Sequence, residues 1–197
     1  MSTIVAVRKN GMAVLAADSL NTYGDLKQKA DYLRGDEKLF FGRGSWFGVT
    51  GYAACAQALM DVLSRKEIKM DFSSRERIFT SFRKLHPILK KQYYLLTQDG
   101  DDGDQPFESS QLRMLIANQH GIFEVWSWRE VAEYTKFWAI GSGQKYALGA
   151  MFSQYDGPGS AADVALAGVK AGAEFDDGSA EPALIHEVKL IKGRSGK

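Results

Sequence analysis

The chain reads as an α+β protein built on antiparallel sheet, and three observations carry that reading. The strand-like segments come in groups separated by pairs of helical patterns, not in the strict alternation that builds a parallel sheet. Residues 4–7 and 13–17 are strand-like and flank Asn10-Gly11, the strongest two-residue hairpin signal. After two further helical patterns the chain returns to an apolar strand at 183–191, so the last segment closes a sheet.

Between these landmarks each element has its own signal. Residues 19–35 are polar and turn-rich, which predicts a long excursion or a second hairpin. Residues 38–41 and 45–50 form a strand pair across Gly42-Arg43-Gly44. From Tyr52 the period changes: Ala54, Ala58, Leu59, Val62 and Leu63 recur at helical spacing. A longer helix is expected over 75–95, with Ile78, Phe79, Phe82, Leu85, Ile88 and Leu89 on its apolar face and a bend at Pro87. Residues 98–108 are acidic and breaker-rich and read as a solvated loop; they lack the glutamate spacing of a calcium loop. Strands follow at 112–118 and 121–128, then a short one at 137–140 that ends in Gly141-Ser142-Gly143 and opens a helix through Phe152. Residues 161–173 make a small-residue helix. With no internal repeat and no linker, residues 1–197 are expected to form one domain.

Composition narrows the function classes. A net charge of +1 gives no electrostatic argument for nucleic acid or an anionic membrane. One cysteine, Cys55, cannot form an internal disulfide and suits a reducing compartment. No apolar run approaches the ~18 residues that span a bilayer, and Arg8-Lys9 interrupts the start too early for a signal peptide. A cytoplasmic protein is expected. His86, His120 and His186 share no metal-ligand spacing and read as structural, while Cys55 reads as a buried small residue.

The chemistry is expected at the start of the chain. Ser2 directly follows Met1, and aminopeptidases remove Met readily before so small a residue. Ser2 would then carry a hydroxyl and a free α-amine at the edge of a sheet. Such an amine has an ordinary pKa of about 7.7–8.0 and can take the hydroxyl proton near neutral pH. The site further needs a cation to favour the alkoxide, an acid to hold that cation, and a backbone N–H for the oxyanion. Lys38, Asp18 and Gly51 are candidates for these roles, Gly51 because it sits at a strand-to-helix turn.

These residues resemble the proteasome β-subunit family, including the bacterial HslV peptidase. The opening Ser2-Thr3-Ile4-Val5-Ala6-Val7 is similar to the HslV start, Thr-Thr-Ile-Val. Asp18, Lys38 and Gly51 fall on the family's aspartate, lysine and oxyanion-hole glycine; the Asp-to-Lys interval is a few residues longer here. Gly141-Ser142-Gly143 matches its Gly-Ser-Gly, and Asp176 with Ser179 matches its Asp-x-x-Ser. The resemblance implies the four-layer αββα sandwich of N-terminal nucleophile hydrolases and peptide-bond hydrolysis without a cofactor. It places Asn21, Thr22, Val49 and Ala53 along the substrate cleft. It further implies stacked homo-oligomeric rings, polypeptide substrates and an ATP-dependent unfoldase as partner, with no nucleic acid or membrane involved.

One departure is Ser2 where the family has threonine. Serine lacks the methyl that restrains χ1, so the hydroxyl is less preorganised. The alternatives are a catalytically inactive ring-forming subunit and a small-molecule amidase of the same fold. Were Ser2 lost as well, Thr3 would lead, but a one-residue slip turns a side chain to the opposite face of the sheet.

Overall fold

The computed structural model describes residues 1–35, 38–98 and 105–191. Strands β1 (Ile4–Lys9) and β2 (Met12–Ala17) turn through Asn10 and Gly11 at φ 52° and 76°, the positive pair that a type I′ hairpin requires. Next come a small hairpin, β3 (Asn21–Tyr23) and β4 (Leu26–Gln28), and a 3₁₀ turn at Ala30–Tyr32. Strands β5 (Leu39–Gly42) and β6 (Ser45–Thr50) precede helices α1 (Ala53–Ser64) and α2 (Arg75–Gln92). Strands β7 (Arg113–Asn118), β8 (Gly121–Val125), β9 (Val131–Tyr134) and β10 (Phe137–Ile140) follow. Helices α3 (Gln144–Gln154) and α4 (Ala161–Phe175) then lead to β11 (Leu184–Lys189).

Two sheets result, in the orders β10-β1-β2-β11 and β5-β6-β7-β8-β9, with antiparallel pairing throughout. The β3–β4 hairpin pairs with neither. Alternation along β1 and β2 explains the layering. Val5, Val7, Val14 and Ala16 point to one side and pack with Met151, Val164 and Val169 of α3 and α4. Ile4, Ala6, Ala13, Leu15 and Ala17 point to the other and meet Leu39, Leu115, Ala117 and Ile122 of the facing sheet. That second sheet buries Phe47, Met114, Ile116 and Phe123 against Leu59, Val62, Phe82 and Leu85 of α1 and α2. The architecture is therefore helix, sheet, sheet, helix, as the αββα expectation has it. Because β1 and β2 are covered on both faces, residues 4–7 and 12–17 read as continuous apolar runs with no polar alternation.

Some details differ from the sequence reading. The strand expected over 121–128 stops at Val125, and β9 was not anticipated. Its hairpin turns at Trp126–Glu130 with Arg129 at φ 70°, so no glycine advertises it. Helix α2 runs on through Pro87 and ends at Gln92, short of Leu95, because Tyr93 leaves helical geometry and Tyr94 adopts φ 54°. Of the acidic loop, residues 99–104 lie outside the described residues. Among the described residues no helix is long and apolar enough to cross a membrane, and no cluster of His, Cys, Asp and Glu could hold a metal ion.

The start of α2 yields a stability test. Ser74 caps the helix by accepting from Arg77 N–H, and Asp71 accepts from Ser73 and Arg77 just ahead of it. These contacts, Ser73 first, hold the Asp71 carboxyl at about 2. A depressed folded value stabilises above the unfolded pKa of about 3.9 and is lost as pH falls toward 2. Asp71 and Arg77 are both substantially exposed, so the contribution is at most about 1 kcal/mol. Asp71→Asn is therefore expected to lower stability at pH 6 by that amount, and the difference from the parent to shrink steadily as pH falls through 4 toward 2, measured by urea unfolding.

Candidate active site

The site forms where the start of β1 meets three corners of the fold. Ser2 is 6% exposed, and its carbonyl accepts from Gly143 N–H at 3.2 Å. Its backbone nitrogen lies 3.1 Å from Ser142 Oγ, and its hydroxyl donates to the Met1 carbonyl at 2.5 Å. The corner that delivers Ser142 depends on Gly141, which adopts φ +97°; a Cβ there would lie 2.0 Å from the Ser2 carbonyl oxygen. Ser142 Oγ donates to Asp176 Oδ2 at 2.8 Å, and Ser179 Oγ donates to the same oxygen at 2.7 Å. Asp176 ends α4, so this helix supplies the acid at the end of a line running through Ser142 to Ser2.

On the other side, Asp18 directly follows β2 and is wholly buried. Its oxygens accept backbone N–H groups of Thr3, Leu20 and Ala180 at 2.8, 3.0 and 3.2 Å. Lys38 Nζ reaches both Asp18 oxygens, at 2.7 and 2.8 Å, with its side chain 7% exposed. A buried ammonium so placed is compensated by a carboxylate that is itself fixed by the main chain. Asp18 thus locks the backbone around the chain start and aims the lysine.

A cavity of about 300 Å³ opens on this cluster, lined by Ser2, Lys38, Asn21, Thr22, Val49, Gly51 and Ala53 among others. All four residues expected along the substrate cleft therefore share one wall system with Ser2. Gly51, at φ +108° between β6 and α1, has open space where a Cβ would stand. Its glycine is required by backbone conformation and not by crowding. The helix behind it has no side-chain cap at Tyr52, which leaves its first-turn N–H groups toward the cavity end of α1 uncapped by a side chain.

Thr3 is placed on the opposite face. It is wholly buried, with Oγ1 2.8 Å from Ser179 Oγ, and a Cβ on Gly172 would fall 2.2 Å from it. The period-2 alternation of a strand puts Ser2 with Ile4 and Thr3 with Val5, which is the signal for this difference. The residues that sequence reasoning missed are the main-chain donors of Leu20 and Ala180, together with Tyr23, Gly24, Tyr52 and Ala56 of the cavity wall. None has a motif, since backbone donors and lining positions are set by packing.

Other candidate groups lie elsewhere. His86 ties Ser110 to Glu108, at 2.9 and 3.1 Å, and His186 stacks on Trp46. Cys55 is half-buried, and burial pushes its thiol pKa up, which disfavours the thiolate. It borders a separate apolar cavity of about 550 Å³ with Leu89 and Leu112, against another face of α1.

Comparison with known proteins gives the family. The family model described as proteasome subunit matches residues 1–171. The chain belongs to the proteasome subunit family. Solved structures agree: Thiobacillus denitrificans BPH in complex with epoxomicin shares 39% identity and a TM-score of 0.88, covering 96% of this chain and 100% of that one. A second structure of Thiobacillus denitrificans BPH gives 39% identity and a TM-score of 0.88, covering 96% of this chain and 98% of that one. HslV from Trypanosoma brucei, at 19% identity and a TM-score of 0.67, covers 95% of this chain and 99% of that chain and shares the fold. No curated protein matches the chain in sequence. Membership of this family makes the protein a proteasome-like peptidase or ring subunit.

Proposed function

We propose that this chain is a single peptidase domain, residues 1–197, that hydrolyses peptide bonds with Ser2 as nucleophile once Met1 has been removed. The observation that carries this reading is that two separately built acid systems flank Ser2: Asp176 holds Ser142, whose Oγ lies 3.1 Å from the Ser2 nitrogen, and Asp18 holds both the Thr3 N–H and Lys38, which lines the same cavity as Ser2. After processing, the Ser2 nitrogen becomes the α-amine and takes the hydroxyl proton through a water. Lys38 Nζ favours the alkoxide, and the Gly51 N–H receives the oxyanion as Ser2 Oγ bonds to the scissile carbon. The C–N bond then breaks, the amine's proton leaves with the new N-terminus, and water hydrolyses the acyl-enzyme. Ser142, Asp176 and Ser179 orient the amine. Asn21, Thr22 and Val49 offer backbone pairing to an extended peptide, and Ala53 lines the cleft.

Family membership supports stacked rings of this chain, with polypeptide substrates delivered by an ATP-dependent unfoldase in the cytoplasm. The BPH structure holding epoxomicin supports an N-terminal nucleophile here, at 39% identity over nearly the whole chain. Intact mass spectrometry with and without an epoxyketone tests the reading. The expected result is loss of Met1 and a single adduct on Ser2, since the adduct needs both the hydroxyl and the free amine. Retained Met1, or a free Ser2 that takes no adduct, leaves the inactive ring subunit as the answer. Adduct formation on a monomer that cleaves small amides but not peptides selects the amidase.

A further inference from the structure

Between the two sheets, beside this site, lies a charged group that the proposed chemistry does not use. Glu124 on β8 is 0% exposed. It pairs across the strands with Leu115, a residue of the inter-sheet core, and so shares that face. Its Oε1 accepts from Arg113 Nε at 2.9 Å and its Oε2 from the Tyr134 hydroxyl at 2.7 Å. Burial, and then the Glu124 carboxylate, push the Tyr134 pKa upward, so its O–H stays a donor. Both oxygens of a wholly buried carboxylate are thus committed to β7 and β9.

Arg113 carries the connection onward. It opens β7 and pairs with Thr50, the last residue of β6, directly before Gly51. Its Nη2 donates to Gln144 Oε1 at 3.4 Å. Gln144 is the first residue of α3, immediately after Gly141-Ser142-Gly143. That corner holds Ser2 through Gly143 N–H and Ser142 Oγ. The guanidinium therefore spans from the sheet that bears the Gly51 turn to the corner that bears Ser2.

The span matters because nucleophile and oxyanion donor belong to different sheets, which are joined here by packing and not by a strand ladder. A working site holds such groups to within about 0.5 Å. Apolar packing alone would fill this space at lower desolvation cost, as Ala117 and Ile122 do on the same face. A planar, forked guanidinium fixes distance and angle together.

We propose that Arg113, oriented by Glu124 and Tyr134, is a positioning residue that sets the Gly141-Ser142-Gly143 corner, through Gln144, against the Gly51 turn. The role rests on the Ser2 chemistry proposed above. Gln144→Ala tests it without stranding a buried charge. Its kcat is expected to fall about tenfold with KM unchanged, and the acid limb of its pH profile to move, because a loosened corner alters both attack geometry and the surroundings of the amine. Gln144→Glu presents the same acceptor to Arg113 and is expected to keep the parental values. The double variant Arg113→Met with Glu124→Leu removes both charges together and takes the acceptor only from the Tyr134 hydroxyl; it is expected to fold with a melting temperature lowered by a few degrees and to lose at least as much kcat. Parental kcat and pH profile in Gln144→Ala, or parental kcat in the double variant, overturn the proposal when Ser2→Ala is inactive in the same assay. Turnover that survives in Ser2→Ala instead removes the nucleophile reading, and the positioning role with it.

Discussion

Ser2→Ala is expected to reduce peptide turnover by on the order of 10⁴-fold or more while leaving the fold and the proposed rings intact, because in the proposed mechanism the hydroxyl oxygen is the bond-forming atom. The structural cost is small. Among the described residues Ser2 Oγ donates to the Met1 carbonyl alone, a contact that disappears with Met1, whereas the Ser2 carbonyl and nitrogen keep Gly143 and Ser142. Peptide cleavage, size-exclusion chromatography and thermal unfolding separate the outcomes. Lost assembly with lost activity would point to a structural role for the chain start. Retained activity would remove Ser2 from the mechanism. Ser2→Thr is expected to keep full activity or exceed it, since the added methyl restrains χ1 and holds the hydroxyl toward the cleft.

Lys38→Ala carries the second largest expected effect, a loss of about 10²–10³-fold in kcat, the scale for removing one preorganised electrostatic group. Truncating one member of a buried ion pair usually costs about 3–5 kcal/mol in stability. Here the remaining carboxylate keeps the N–H groups of Thr3, Leu20 and Ala180, so a loss nearer 1–3 kcal/mol is expected, roughly that of one unmade charged hydrogen bond. Lys38→Ala should therefore remain folded at the assay temperature while its turnover falls. Turnover equal to the parent would take Lys38 out of the site. A collapse in melting temperature with proportionate activity loss would make the pair a structural one.

Much of the fold was legible because its signals are local. Asn10-Gly11 specifies its own turn, and Gly42-Arg43-Gly44 brackets the β5–β6 connection, where Arg43 and Gly44 take φ 52° and 75°. The helical spacing of Leu59, Val62 and Leu63 marks the buried face of α1. The β8–β9 hairpin escaped because Ser127, Trp128 and Arg129 carry no turn signature, and a positive φ at an arginine is enforced by the strands around it. The end of α2 escaped for a related reason: the apolar period continues past Gln92 through Leu95, while the backbone does not.

The site divides along the same line. Sequence alone determines that Ser2 and Thr3 point to opposite faces, since a strand alternates, and that Asp18 ends a hairpin arm beside the chain start. It also marks Gly51 and Gly141 as turn positions. Only the tertiary structure decided that Lys38 closes on Asp18 at 2.7 Å, that Asp176 reaches Ser142 across 34 residues, and that Arg113 finds Glu124 between the sheets. Each of these contacts joins segments from different elements, and its length is set by how two sheets and two helix layers pack. Local residue patterns encode backbone direction and face; the distances between charges arise only when the layers close.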